Sequence, residues 1–244
     1  MKSSRRRGPP PSKVVRIYGR HAVEAALANP ERMILKLHAT PEVIAAFHMP
    51  QGVIVQQGGV MDLARLVPLD APHQGMVLEV EPLDPPHIED LLGAGTGPLV
   101  VLDQVTDPHN VGAILRSCAA FGAVGLVTQD RHAPPESGVV AKAASGALER
   151  VPWARVVNLA RALELIGEAG FWRVGLDGAA PRTIEQAAGN ARVALVLGAE
   201  GEGMRQNTIA HCDELARLPI TQAVQSLNVS NAAAVALYAT TRRG

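Results

Sequence analysis

RVALVLGAEGEGM, residues 192–204, decides the fold. Val193 to Leu197 form an apolar run without polar alternation, short enough for a strand, and it ends at Gly198, Gly201 and Gly203. A strand that is apolar on both faces belongs to a parallel sheet covered by helices on each side. The same kind of run recurs outward from it, as LVVLD (99–103), AVGLVT (123–128), WARVV (153–157), WRVGLD (172–177) and ELARLPI (214–220). Helical patterns alternate with these runs at about 111–121, 137–149, 158–169, 203–211 and 228–242. Residues 98–244 therefore read as an α/β domain with a mainly parallel sheet, whose ligands bind beyond the carboxyl ends of the strands. The turn after the quoted strand has the order G-x-x-G-x-G, which opposes the dinucleotide fingerprint G-x-G-x-x-G and with it a nicotinamide-dependent oxidoreductase.

Upstream, MILKLHA (33–39), VIVQQ (53–57) and MVLEV (76–80) alternate with helical patterns at 20–29, 41–47 and 60–67. They predict a small α/β unit over 17–83. Residues 84–97 are rich in Pro and Gly and read as a linker with room for one short helix. Residues 1–16 read as a basic, flexible arm. Net charge is zero, yet seven of the 23 basic residues (Lys2, Arg5, Arg6, Arg7, Lys13, Arg16 and Arg20) precede the first acid. The remaining 16 bases stand against 23 acids, so a polyanion is attracted by the arm and by local patches and repelled by the body. Read alone, such an arm is equally a solvated tail.

Several classes are excluded or disfavoured. No apolar run approaches the roughly 20 residues of a bilayer span, and the arginine-rich start is not a secretory signal, so a cytoplasmic location and no membrane partner are expected. Cys118 and Cys212, the only two cysteines, lie in no metal-ligand pattern and read as small buried hydrophobes; no metal site is expected.

Three segments hold the polar residues that a site needs: DPHNVGAILRS (107–117), LVLGAEGEGM (195–204) and LPITQAVQSLNVSNAAA (218–234). In the first, Asp107 to Asn110 read as a turn and Val111-Gly112 as the opening of a helix. Arg116 has only Gly112, Ala113, Ala119 and Ala120 at i±3 and i±4, which would let a phosphodiester approach its guanidinium. Taken singly, Asn110 is equally a turn or cap residue, Arg116 a solvated surface charge, and Glu200 a helix-capping acid. In SLNVSN, Ser226, Asn228 and Ser230 alternate with apolar residues, so an extended stretch would put three polar groups on one side; the same run would also make a good N-cap.

Together the three segments resemble the motifs of the SPOUT-class RNA 2′-O-ribose methyltransferases, the SpoU/TrmH family. IYGRHAVEAALANPER (17–32), PHQGMVLEV (72–80) and HCDEL (211–215) are similar to the subgroup that methylates a guanosine in large-subunit ribosomal RNA. The resemblance implies a C-terminal SPOUT domain tied in a deep trefoil knot. It implies in front of that a small RNA-binding domain like small ribosomal proteins, and a homodimer. It implies S-adenosylmethionine as cofactor, with Gly198, Leu218, Ile220 and Leu227 as its contacts. Asn110, Arg116, Glu200, Ser226 and Asn228 become the catalytic set. Such transfer needs in-line positioning and handling of the hydroxyl proton, with no metal. A guanidinium stays protonated in proteins, so the expected work of Arg116 is to orient the nucleotide and offset negative charge on the attacking oxygen. The rival readings are a tRNA ribose as substrate and a non-catalytic RNA-binding protein with a vestigial pocket.

Overall fold

A computed structural model describes residues 14–47, 50–189, 191–221 and 223–241, so most of the basic arm lies outside the described residues. The chain divides after Leu83 into two compact units.

The first unit runs β1 (Val15–Tyr18), α1 (Arg20–Ala28), β2 (Ile34–Ala39), α2 (Pro41–Ala46), β3 (Val55–Gln57), α3 (Val60–Ala64) and β4 (Met76–Val80). Its sheet has the order β1-β4-β2-β3; β4 is antiparallel to both neighbours and β3 parallel to β2. The sequence does not announce β1, because the density of basic residues before it reads as arm. Its alternation places Ile17 in the core and Arg16 outside, where the guanidinium meets Glu79 at 3.1 Å. Arg20 pairs with Glu24 at 2.8 Å, so two of the seven early cations are already neutralised locally.

The second unit begins with α4 (Ile88–Gly93), whose Ile88 and Leu91 are buried in this unit's own core. There follow β5 (Leu99–Asp103), α5 (Pro108–Ala120), β6 (Gly125–Gln129), α6 (Gly138–Ala144), β7 (Trp153–Val156), α7 (Leu159–Glu168) and β8 (Trp172–Leu176). α8 (Ile184–Ala188), β9 (Val193–Gly198), α9 (Gln206–Ile209), β10 (Glu214–Ala216) and α10 (Val229–Thr241) complete it. All six strands are parallel in the order β10-β8-β9-β5-β6-β7. The unalternated strands sit in the middle: every residue of β5 is buried, as is β9 up to Leu197. In the segment 211–215, Asp213 receives the Arg173 side chain at 2.8 and 2.6 Å, which holds the Asp213 carboxyl below the usual carboxylate range and fastens the turn before β10 to β8.

Four local expectations differ from the structure. α5 begins at Pro108, earlier than expected, because Asp107 is the N-cap, accepting from His109 N at 2.9 Å, and Pro suits the first helical position. The expected helix over 137–149 breaks, since Ser145 (φ 50°) and Gly146 (φ 91°) turn left-handed between α6 and a 3₁₀ turn at Ala147–Glu149. The expected strand 214–220 stops at Ala216, leaving Leu218 and Ile220 outside the sheet. α8 has no counterpart among the expected helices; Ile184, Ala187 and Ala188 bury it in a single short turn.

α5 is amphipathic as read, burying Val111, Ile114, Leu115 and Cys118 at i, i+3, i+4 and i+7. Burial pushes the Cys118 thiol up to about 12, so it behaves as an apolar group. Gly112, however, does not leave space for a nucleic acid. A Cβ there would stand 2.5 Å from Ala143 Cβ and 2.6 Å from Val140 O, so Gly112 lets α5 close on α6. Gly112→Ala is expected to lower stability by about 1–3 kcal/mol from overpacking against a backbone carbonyl, outweighing the ~1 kcal/mol helix-propensity gain. Equilibrium denaturation of the variant checks the sign.

Candidate active site

The carboxyl ends of β5 and β9 lie side by side, with Asp103 in register with Gly198. From this edge rise the loop into α5, the glycine turn after β9, and, from farther along the chain, the segment leading into α10. The glycine turn doubles back on itself: Ala199 and Gly203 exchange hydrogen bonds at 3.2 and 2.9 Å. It is held so tightly to the strand end that a Cβ on Gly198 would stand 2.1 to 2.3 Å from Gly203 and Met204 backbone atoms.

Glu200 projects from the tip of this turn and joins the other two segments. Its Oε1 accepts from Asn110 Nδ2 at 3.1 Å, from Asn228 Nδ2, and from the backbone N of Val229 at 3.3 Å. Asn228 Nδ2 also donates to Asn110 Oδ1 at 3.1 Å. Residues 90 and 118 positions apart thus form one closed carboxylate–carboxamide cluster. Asn228 also caps α10 while bonding into the cluster, since its Oδ1 accepts from Ser230 N at 2.9 Å and its carbonyl from Ala232 N at 2.9 Å. The N-cap reading of SLNVSN holds, with Asn228 also in the cluster; the expected row of Ser226, Asn228 and Ser230 on one side of an extended stretch does not form, because the helix begins at Val229 and takes in Ser230.

The remaining expected residues are placed differently. Arg116 is exposed on α5 and makes no hydrogen bond or ion pair with any described residue. Six helical positions, about 9 Å of rise, separate it from Asn110. Its guanidinium is therefore not a member of the cluster. Ser226 is exposed and stands outside it as well; Leu218 and Leu227 are half-buried, and Ile220 is 39 % exposed. Among the described residues no group of three His, Cys, Asp or Glu could hold a metal ion.

One polar pair escapes a reading of the sequence. Asp103, at the end of β5, is fully buried; its Oδ2 accepts from Arg205 N at 2.9 Å and its Oδ1 from Arg205 Nε at 2.9 Å, with Arg205 Nη2 at 2.6 Å from Oδ1. Arg205 Nη2 also donates to Gln129 Oε1 at 2.8 Å, at the end of β6. The signal that could have found it is an acid closing an otherwise apolar strand, since a buried carboxylate must find a partner.

The carboxyl edge of a parallel α/β sheet thus gathers the three segments whose motifs resemble those of the SPOUT-class RNA methyltransferases. The profile of the SpoU rRNA Methylase family matches residues 97–238, and that of the RNA 2′-O ribose methyltransferase substrate binding domain matches residues 16–86. The chain belongs to the SpoU family. It is 40% identical over 241 residues to the 23S rRNA (guanosine-2′-O-)-methyltransferase RlmB of Escherichia coli K12, covering 93% of this chain and 98% of that one. With the enzyme of the same name from Vibrio vulnificus it shares 39% over 242 residues, covering 93% and 96%. The AdoMet-bound rRNA methyltransferase from Sinorhizobium meliloti superposes with a TM-score of 0.77 at 25% identity, over 94% of this chain and 87% of that one. The SpoU methyltransferase AviRb from Streptomyces viridochromogenes shares the fold, with a TM-score of 0.77 at 21% identity over 94% and 89%.

Proposed function

We propose that this chain transfers the methyl group of S-adenosylmethionine to the ribose 2′-oxygen of a guanosine in large-subunit ribosomal RNA. The observation that carries the reading is the Asn110–Glu200–Asn228 cluster, which unites the three family motifs at one strand edge. The curated relatives bearing that activity align along nearly their whole length.

The residues present fit the cofactor. Gly201 (φ 82°) and Gly203 (φ 70°) are left-handed, and a Cβ on either would meet nothing within 4 Å, so the turn presents bare backbone to open space. Gly198, Leu218, Ile220 and Leu227 supply the small and apolar contacts that would hold the adenosine part. Bound there, S-adenosylmethionine supplies an activated methyl on a sulfonium. Glu200 organises Asn110 and Asn228 on the ribose side; Ser226 lies two residues before Asn228 and offers a hydroxyl to the nucleotide. Arg116, free of any described acidic partner, orients the nucleotide and offsets charge developing on the 2′-oxygen.

The finer architecture is part of the same proposal. A trefoil knot in the C-terminal segment is supported by β9 lying between β8 and β5 while α10 returns to pack on α5 and β9. A homodimer is supported by α10, which exposes Val235 and Tyr238, the latter ring 6.0 Å from Phe121 at the end of α5. The first unit serves as the RNA-binding domain resembling small ribosomal proteins, and the arm adds charge for the polyanion; residues 84–97, expected as a linker, belong to the second unit, whose core buries Ile88 and Leu91. We place the enzyme in the cytoplasm with its substrate; no described helix is long and apolar enough to cross a membrane.

Mapping 2′-O-methyl groups on ribosomal and transfer RNA from cells with and without the gene tests the substrate. Loss of a guanosine mark in large-subunit RNA is expected; loss confined to tRNA moves the reading to the tRNA class, and no loss with no cofactor binding leaves an RNA-binding protein. Gly198→Ala is expected to weaken S-adenosylmethionine binding by at least about tenfold in calorimetry, because overpacking of about 1–3 kcal/mol must displace the turn. Unchanged affinity would separate the turn from the cofactor.

A further inference from the structure

We infer that Arg205, clamped by buried Asp103, is a positioning residue that sets where Glu200 stands relative to Asn110 and Asn228. The kinetic side of this inference rests on the proposed methyl transfer; its structural side does not.

The geometry is that of a strut across the site's edge. Asp103 is the last residue of β5, and the chain leaves it through Gln104, whose φ of 60° is left-handed, to reach the cap of α5 and then Asn110. Arg205 is the first residue after the glycine turn and Met204. The carboxylate therefore grips the downstream stem of the turn through a backbone N–H and the guanidinium Nε, with Nη2 in ion-pair contact, at the root from which the Asn110 segment also starts. Gln129 extends the strut: it accepts from Arg205 Nη2 and donates from Nε2 to Val157 O at 3.1 Å, just beyond β7. The upstream stem is fixed separately, by the close approach of Gly198 to Gly203 and Met204. With both stems fixed, the tip carrying Glu200 has one place to stand.

Both oxygens of the Asp103 carboxylate are engaged by this one residue, Oδ2 by the Arg205 backbone N–H and Oδ1 by its guanidinium, so the pair fixes the Arg205 backbone as well as its side chain. Asp103 is 0 % exposed while the Arg205 side chain is 38 % exposed, so the anion is the anchor and the cation the arm it holds. Nothing in this arrangement places Arg205 on the reacting atoms; it acts through Glu200.

Two variants separate positioning from mere stability. Arg205→Met alone strands a buried charge and is prone to unfold; the double variant Asp103→Leu/Arg205→Met replaces the pair with apolar groups, a change that proteins often tolerate without loss of stability. In the folded double variant, hydrogen exchange of the amides of Ala199 and Gly203 is expected to be at least about tenfold faster than in wild type, with β5 and β9 unchanged. In methyl transfer to a ribosomal RNA fragment, kcat is expected to fall about 10- to 100-fold while KM for RNA stays within about threefold. If Arg205 acts through Glu200, adding the double substitution to a Glu200→Ala background costs no further activity. Wild-type exchange in the turn, or losses that add in full, would overturn the inference. Absence of transfer by the wild-type protein would instead remove the proposed reaction and leave the exchange result to decide the strut.

Discussion

Arg116→Lys is expected to lose about 10²- to 10³-fold in turnover, the range seen when one preorganised charge-stabilising donor is removed from an active site. The substitution keeps the charge and the helix, so it tests geometry alone. A guanidinium presents a rigid planar fork that can hold a phosphate and a neighbouring oxygen together, whereas an ammonium on a flexible stem is a point charge with a heavier hydration shell. Arg116 projects from α5 with no acid among the described residues to neutralise it, unlike Arg155, Arg161, Arg173, Arg182 and Arg205, and unlike Arg192 and Arg217, which lack carboxylates but bond to backbone carbonyls. An arginine without such a partner, about 9 Å from Asn110 along α5, is free to meet substrate rather than to brace the fold. S-adenosylmethionine affinity is expected to stay within about twofold, because the side chain lies outside the glycine turn and the segment around Leu218. A variant that methylates at the wild-type rate would remove Arg116 from the reaction.

Glu200→Ala is expected to be as damaging, about 10²- to 10³-fold in kcat, for a different reason. Three donors converge on one carboxylate oxygen: the carboxamides of Asn110 and Asn228 and the amide at the start of α10. Bonds to a charged acceptor contribute about 1.5–3 kcal/mol each when sheltered, and less at this exposed position. Energy is therefore the smaller part of the loss. Without the shared acceptor, Asn228–Asn110 is the one side-chain hydrogen bond among the described residues that still joins the motif segments, and their alignment toward the ribose relaxes. Glu200→Gln keeps an acceptor oxygen but adds a competing NH₂, so an intermediate loss of about tenfold is expected. Single-turnover kinetics on both variants will read this order; equal, wild-type rates would dissolve the cluster's role.

Which features can be read from the sequence follows from the range of the forces involved. β5 and β9 are legible because burial on both faces writes an unbroken apolar run, and α5 because its buried stripe repeats at helical spacing. The break after α6 is not, since the apolar pattern of residues 140–148 continues straight through Ser145 and Gly146, whose left-handed backbone leaves no trace in hydropathy. Asn110, Glu200 and Asn228 are each ambiguous singly, as every one has an ordinary capping role; their joint membership in family motifs suggests a common site. That Asn228 caps a helix and bonds Glu200 together lies beyond any single-residue choice. The Asp103–Arg205 pair spans 102 positions, and pairing at that distance is set by topology, which periodicity does not encode.

Asn228 makes biosynthesis an ordered affair. Segments translated far earlier supply two sides of the cluster and bond each other, yet the third side is missing until the stretch that starts α10 has emerged and folded back. A nascent polypeptide still short of that point holds an unfinished pocket, so methyl transfer is expected only once α10 has docked, whatever RNA the first unit already holds.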